Sequence, residues 1–470
     1  MVPLRVLSGF SILAVLAAPR PSHAAPPGDA ELRRMLVTRV DVQHQATGIV
    51  LGIVAPAGQR VITYGKRGLD DPRAVTADTV FDIGSITKLF TALLLADLAT
   101  RGQVALDDPV ARYLPDSVHL PVRNARPITL VDLVTHTSGL PLRPSNLVSN
   151  DPENKYAGYT ADLLYQFLAG FQLPRDPGGA YEYSNVGYGL LGQALSRKLD
   201  QSFADAVQAR ITGPLGMRDT RIVPTRDMQA RQALGYSDAL APVPHWDLGA
   251  LASAGALRST ARDLMRLLEA QLGYRETTLR RALTAMLDTR RPGGMPPSQF
   301  IAMGWNVQMS GDREIAWKNG SVGGYRAFIG FDAKARIGVV ALANAQTAVG
   351  ADDIGLHVLD PSYPIDLHVP VAHKAITIEP AQLDRYLGRY LGRYKFSETD
   401  ILTVTRNGAQ LYGQSPGTDK YPLYPEAEGE FFLKVVDAQV TFVVPPNGPA
   451  RASAVIWHQG GQDQRGERIE

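Results

Sequence analysis

What most constrains the fold is where the strand-like runs fall. Gly48-Ile49-Val50-Leu51-Gly52-Ile53-Val54 is a continuous apolar β run, a Pro-Ala-Gly turn follows at 56–58, and Val61-Ile62-Thr63-Tyr64-Gly65 answers it as a hairpin. Comparable runs return near the end of the block, at Trp305–Val307, Ile315–Lys318, Ala327–Phe331 and, past a charged turn at 332–336, Ile337–Leu342. Between them the spacing is helical. Ile86–Leu98 carries Leu89, Phe90, Leu93, Leu94 and Leu98 on a helical period, residues 105–275 alternate short helices with Pro and Gly loops, and Leu264–Leu272 reads as a further helix. Short helices are also expected at Glu31–Val40 and at about 351–360, the latter covering the sheet. The economical arrangement is α+β: an antiparallel sheet built from both ends of the block, flanked by helices, with a mostly helical insertion.

The chain has 470 residues, more than the ~250–300 at which one core stops growing, so a second unit is expected. Residues 361–378 are proline-rich and aperiodic and read as a linker. Beyond it, strand-like runs recur about every ten residues: Leu402–Thr405, Gln410–Tyr412 after an Asn407-Gly408 turn, Phe431–Val435, Val440–Val444 and Ala454–Trp457. They predict a small antiparallel β domain, barrel-like, over 379–470. At the other end, Arg5, the apolar run Val6–Ala18 and the small-residue site Ser22-His23-Ala24 read as a leader cleaved after Ala24. The apolar run is shorter than the ~20 residues a membrane span needs. The expected division is 1–24 leader, 25–360 main domain, 361–378 linker and 379–470 β domain.

Composition narrows the chemistry. There is no cysteine, which removes disulfides, thiol nucleophiles and Cys-ligated zinc, and an exported chain without disulfides fits a bacterial periplasm. A net charge of +2 with no dense Lys/Arg run gives no reason to expect a nucleic-acid partner. The histidines lack metal-ligand spacing, and no phosphate loop or dinucleotide fingerprint is present, so neither metal nor cofactor is expected.

Three fragments carry chemistry. In Ser85-Ile86-Thr87-Lys88 a serine opens an apolar helix with a lysine one turn later on the same face, and serine is a poor nucleophile without such a neighbour. Tyr183-Ser184-Asn185, after Pro177-Gly178-Gly179, can present a phenol and an amide to one cavity. Lys318-Asn319-Gly320-Ser321 reads as a strand ending in glycines, where exposed N–H groups can meet a substrate backbone or an oxyanion. Each alone has an ordinary explanation: a helix cap with a solvated lysine, a turn, a glycine-rich hairpin.

Together and in this order the fragments resemble the serine β-lactamase and penicillin-binding-protein superfamily, with its Ser-x-x-Lys, Tyr-x-Asn and Lys-Thr-Gly motifs. The Tyr-x-Asn form is similar to the class C β-lactamase branch, which includes D-alanyl-D-alanine carboxypeptidases and endopeptidases, D-aminopeptidases and esterases. Phe81-Asp82-Ile83-Gly84, His136-Thr137-Ser138-Gly139-Leu140 and Gly255-Ala256-Leu257-Arg258-Ser259-Thr260 look like that branch too. The resemblance covers about residues 35–355, and 379–470 is similar to the small β domain that often follows such hydrolases.

The resemblance implies an acyl-enzyme on Ser85, proton transfers shared by Lys88 and Tyr183, substrate contacts from Asn185, Asn319 and Gly320, a Lys318 that holds Tyr183 in its charged form or binds a substrate carboxylate, and an oxyanion hole of the Ser85 and Ser321 N–H groups. It implies D-amino-acid peptides of peptidoglycan, or β-lactams, as substrates. An esterase, a D-aminopeptidase or a slowly deacylating penicillin-binding sensor is the alternative. His136 belongs to a structural turn in the family. One departure stands out: Asn319 replaces the hydroxyl residue of the third motif, which often meets a substrate carboxylate.

Overall fold

The computed structural model of the chain describes residues 26–470 except 150, 152–153, 348–349, 367–372, 395–396, 415–419, 434–437, 446–450 and 460–461. The leader expected at 1–24 lies outside the described residues, as do Lys434 and Val435 of one expected strand.

The strands are β1 (Gly48–Ala55), β2 (Gly58–Gly65), β3 (Val80–Asp82), β4 (Arg258–Thr260), β5 (Arg291–Pro292), β6 (Phe300–Ile301), β7 (Asn306–Ser310), β8 (Arg313–Val322), β9 (Tyr325–Asp332) and β10 (Ile337–Ala343). Eight of them form one antiparallel sheet in the order β2-β1-β10-β9-β8-β7-β6-β5, while β3 and β4 pair separately. The β1–β10 ladder, from Ile49↔Ala343 to Val54↔Gly338, joins the two ends of the block. The chain between β2 and β5 is therefore the insertion, as the run positions required.

Helices cover both faces. Val50 and Val54 of β1 pack into a core with Leu264, Met265, Leu283 and Met286, whereas Ile49, Leu51 and Ile53 pack with Leu32, Leu36, Ile354 and Val358. A strand buried on both faces has no polar side, which is why β1 and β10 read as continuous apolar runs. Gly52 lets the helix Ala261–Leu272 approach, because a Cβ there would lie 2.6 Å from Met265 Sδ. That helix starts at a Thr260 cap and stops at Gly273 with φ +78°.

The helix Thr87–Thr100 runs through the core, with every residue from Thr87 to Leu98 buried. It is flanked by the helices Asn185–Leu199, Ala252–Gly255 and Arg280–Asp288. The helices at the ends are Asp29–Val37, with a π-type turn to Val42, and Asp352–Leu359.

Two boundaries differ from the sequence expectation. β8 does not end at the glycines: it continues through Gly320 and Ser321 to Val322, and the turn is Gly323-Gly324. Gly320 is a place of close approach instead of a turn, since a Cβ there would lie 2.0 Å from the Ile83 carbonyl oxygen. In the C-terminal hairpin Asn407 pairs with Gln410, so the loop is Gly408-Ala409. Gly408, at φ +57°, takes the first loop position, where a two-residue turn of this kind uses glycine.

The C-terminal unit is a closed eight-stranded barrel. Its strands are β11 (Gly388–Tyr394), β12 (Ser397–Asn407), β13 (Gln410–Gln414), β14 (Tyr421–Ala427), β15 (Glu430–Leu433), β16 (Ala438–Val443), β17 (Ala454–Gln459) and β18 (Gln462–Arg468), with β18 returning to β11. Tyr386, Phe431 and Phe442 meet at its centre with ring centroids 4.8 to 5.4 Å apart.

One packing contact is open to a direct test. A Cβ on Gly192 would lie 2.1 Å from Ser253 Oγ, where two helices cross. Gly192→Ala is expected to lower stability by about 1–3 kcal/mol through overpacking. A second change, Ser253→Gly, should recover part of the loss in urea-unfolding midpoints.

Candidate active site

The pairing of β3 with β4 delivers the chain to Ser85. Asp82 lies opposite Arg258 and is held by Arg258 Nε at 3.0 Å, by Gln232 Nε2 at 3.0 Å and by His245 Nδ1 at 3.0 Å. The chain then turns through Gly84, at φ +49°, into a short 3-10 turn, Gly84–Ile86, that leads into the buried helix. From Val80 to Leu98 every residue is buried except Ser85, which is half-exposed. The core thus holds one hydroxyl at its surface.

Lys88 is fully buried. Its Nζ lies 2.8 Å from Asn185 Oδ1, 2.7 Å from the Ala254 carbonyl oxygen and 3.2 Å from Ser85 Oγ. Burial, with the charge of Lys318 as a second cause, holds its ammonium well below the ordinary lysine range. A neutral amine has two N–H donors and one lone pair. Asn185 and Ala254 accept the two donors, which leaves the lone pair for the Ser85 hydroxyl.

Tyr183 arrives from the loop before the helix Asn185–Leu199. The Tyr183 hydroxyl lies 2.6 Å from Ser85 Oγ. Burial raises the phenol well above its ordinary value, against the lowering effect of the Ser85 contact, so it stays protonated. The lysine amines lie over its ring face, Lys88 Nζ 4.8 Å and Lys318 Nζ 4.6 Å from the centroid.

The loop is fastened to the turn at 136–142. Ser184 N donates to His136 Nδ1 at 3.1 Å, Glu182 N to the His136 carbonyl at 2.8 Å, Ser184 Oγ to the Pro141 carbonyl at 2.8 Å and Asn185 N to the Leu142 carbonyl at 3.2 Å. His136 itself is buried, at φ +58°, with its ring 4.5 Å from that of Tyr183. Burial and the two lysines keep it neutral. Its place is in the turn behind the tyrosine.

Strand β8 supplies the opposite wall. The hairpin with β9 closes at Val322↔Tyr325 and that with β7 at Ser310↔Arg313, so in both ladders Trp317, Asn319 and Ser321 turn their N–H and C=O toward the β7 side. β7 pairs only as far as Trp317. The backbone of Asn319 and Ser321 is therefore an open edge, and it lies against the Ser85 turn: a Cβ on Gly84 would be 2.9 Å from Ser321 N, and one on Gly320 would be 3.1 Å from Ser85 N. The Ser85 N–H sits in a first helical turn, where no carbonyl precedes it to accept. Two N–H groups thus converge beside Ser85 Oγ, the arrangement that stabilises a carbonyl oxyanion.

Lys318 is buried, and burial brings its pKa down to about 7 against the raising effect of Asp352. Strand alternation puts the Asn319 side chain on the other face, where its Nδ2 donates to Asp352 Oδ2 at 2.6 Å. Of the residues expected from sequence, the structure gathers Ser85, Lys88, Tyr183, Asn185, Lys318 and the Gly320–Ser321 backbone, and it engages the Asn319 amide elsewhere. Two participants had no sequence signal: the Ala254 carbonyl, a backbone group, and Asp352, which lies remote in sequence and becomes a neighbour only through the fold. Among the described residues no group of three His, Asp or Glu is placed to hold a metal.

A half-exposed serine in reach of a buried amine, a phenol and two backbone N–H groups defines a serine hydrolase of the acyl-transfer kind. Residues 32–359 match the Beta-lactamase family model, and the chain belongs to that family. Residues 372–468 match a domain of unknown function, DUF3471. The D-alanyl-D-alanine-carboxypeptidase/endopeptidase AmpH of Escherichia coli K12 is 30% identical over 351 residues, 70% of this chain and 89% of the relative. Penicillin-binding protein 4* of Bacillus subtilis 168 is 26% identical over 457 residues, 91% of this chain and 96% of the relative. Among solved structures, a class C β-lactamase from Rhodobacter sphaeroides superposes with TM-score 0.59 at 28% identity, covering 68% of this chain and 95% of that one.

Two consequences are measurable. Gly320→Ala should push β8 away from the Ser85 turn and cost on the order of 10²-fold in kcat/KM, the scale of a ~1 Å misplacement, read with any substrate the wild type cleaves. Lys318 binds fewer protons folded than unfolded between its folded value of about 7 and its ordinary 10.5, so its contribution makes stability rise with pH across that window. Lys318→Met should flatten that rise in denaturation midpoints taken at pH 7 and pH 10.

Proposed function

We propose that the protein opens the amide of D-amino-acid peptides, or of β-lactams, through an acyl-enzyme on Ser85. The observation that carries this reading is the double contact on Ser85 Oγ, from Lys88 Nζ at 3.2 Å and Tyr183 Oη at 2.6 Å. Ser85 Oγ attacks the carbonyl carbon and its proton passes to the neutral Lys88 amine. The carbonyl oxygen becomes an oxyanion held by the Ser85 and Ser321 N–H groups. Tyr183, a protonated phenol, gives its proton to the leaving nitrogen as the C–N bond breaks, and the Lys88 ammonium returns a proton to the phenolate. Water then takes the place of the leaving amine, and the same groups run in reverse to release the acid and free Ser85.

Asn185 binds Lys88 through its carbonyl end, which leaves its NH2 end as the donor for a substrate carbonyl. The relatives named as D-alanyl-D-alanine-carboxypeptidase/endopeptidase and penicillin-binding protein support the peptide reading. Among the described residues no helix is long and apolar enough to cross a membrane. With the leader expected at 1–24, a periplasmic main domain at 25–360, joined by 361–378 to the barrel, is the organisation we propose.

The test uses wild type, Ser85→Ala and Lys88→Ala with a fluorescent penicillin, a chromogenic cephalosporin and a p-nitrophenyl ester. Ser85-dependent labelling with slow release supports the peptidase, and rapid cephalosporin cleavage without retained label supports the β-lactamase. Ester cleavage alone moves the assignment to an esterase. The Lys88→Ala rate should fall by about 10²–10⁴-fold, the usual worth of a positioned base. Activity retained in Ser85→Ala overturns the proposal.

A further inference from the structure

Tyr183 stands in a loop, and the residues on either side of it hang on one histidine. Glu182 N donates to the His136 carbonyl oxygen at 2.8 Å, and Ser184 N donates to His136 Nδ1 at 3.1 Å. Both backbone N–H groups flanking Tyr183 therefore end on His136. The buried imidazole also packs against two phenols, with its centroid 4.5 Å from the Tyr183 ring and 4.8 Å from the Tyr188 ring. Tyr188 is fixed in turn: it lies in the helix Asn185–Leu199, and its hydroxyl donates to the Val134 carbonyl at 2.7 Å. The imidazole thus touches both the phenol at the site and one that the fold holds still.

The bond from Ser184 fixes the state of the ring. A ring nitrogen that accepts carries no hydrogen, so in the neutral imidazole the hydrogen sits on Nε2. Nε2 is buried and has no hydrogen-bond partner among the described residues. A buried donor left unmet lowers stability, so a turn selected for stability alone would be better served by a side chain without one. The orientation is intelligible as a way to offer an acceptor to Ser184 and a ring face to Tyr183 together. An imidazolium would set Nδ1–H against the Ser184 N–H and lose the bond, and burial with the charges of Lys318 and Lys88 keeps the ring neutral.

We propose that His136 is a positioning residue for the departure of the leaving group, its Nδ1 setting the stretch of backbone from which Tyr183 reaches the leaving nitrogen. This rests on the acyl-enzyme reading and adds a residue to it. His136 moves no proton itself. Its effect is selective, because an amide departs as an amine and needs the proton of the phenol, whereas a p-nitrophenyl ester departs as a stable phenolate and does not.

The experiment measures kcat/KM on a p-nitrophenyl ester and on an amide that the wild type opens, either a blocked D-alanyl-D-alanine peptide or a chromogenic cephalosporin. Because kcat/KM ends at acylation, the deacylation common to both substrates does not enter. His136→Phe keeps a ring beside Tyr183 and removes the acceptor; it should lose about 10²-fold on the amide, the scale of a ~1 Å misplacement, and less than about threefold on the ester. His136→Asn removes the ring and keeps an acceptor, and asparagine tolerates the φ of +58° at this position. It should hold the amide-to-ester ratio within about threefold of the wild type. The ester rate reports that each variant has folded, and where His136→Phe does not fold the ratio in His136→Asn decides. Equal losses on amide and ester, as a merely structural tie would give, overturn the inference, as do an unchanged amide rate in His136→Phe, a larger fall of the ratio in His136→Asn, or a wild type that opens the ester alone. Turnover that survives in Ser85→Ala removes the acyl-enzyme itself, whatever the His136 variants do.

Discussion

Lys88 carries an amine to a point where no water reaches it, and much of the main domain is arranged around that fact. An isolated ammonium at such a depth is untenable, so the group must shed its proton or be surrounded by acceptors. The fold supplies two acceptors from two different segments, Asn185 Oδ1 and the Ala254 carbonyl. Each requires its own element to be in place: the helix Asn185–Leu199 must be capped at Ser184, and Ala252–Gly255 must lie close enough to reach the amine. The close contact between Gly192 and Ser253 is what allows those two to meet. The third neighbour is the serine. The amine lone pair, shielded from water, is left facing one hydroxyl, that of Ser85.

The same economy governs the strand edge beside Ser85. Strand β8 is bound on one edge by β9 throughout, but on the other only as far as Trp317. An unpaired edge is ordinarily a liability for a soluble protein. Here it is short, and it is covered by the Ser85 turn, with glycines at 84 and 320 because any side chain would strike backbone atoms at 2.9 Å and 2.0 Å. The turn and the strand come from opposite ends of the block. Only the β1–β10 ladder, which closes the sheet across the insertion, brings them together. Fold and site are in this sense one constraint.

What was legible in the sequence follows from this. Continuous apolar runs mark strands covered on both faces, so β1, β9 and β10 stood out, and the helical period of Ile86–Leu98 marked the central helix. The elements that escaped lack such a signal. β14 contains Pro422 and Pro425, β18 is polar almost throughout, and β11 hides in a Tyr-Leu-Gly-Arg repeat. These strands owe their place to barrel closure, which sequence spacing does not encode. In the site, side chains in motifs were readable, and backbone acceptors and long-range neighbours were not. Ala254 contributes only a carbonyl, and Asp352 becomes relevant only because a helix from beyond β10 lies behind β8.

Asn319 shows how a local departure becomes intelligible once its neighbour is known. Read alone, it is a motif position with the wrong side chain. A hydroxyl there has one proton to give and can turn it toward a ligand. An amide has a carbonyl and two N–H groups fixed in a plane, and with a carboxylate at 2.6 Å one of those N–H groups is already spent. The carboxylate in turn gains from the amide a bond that holds it at the N-terminal end of its helix, where negative charge is favoured. Each residue accounts for the other. Adjacent residues of one strand thus face apart, Lys318 on the Tyr183 side of β8 and Asn319 on the side of Asp352.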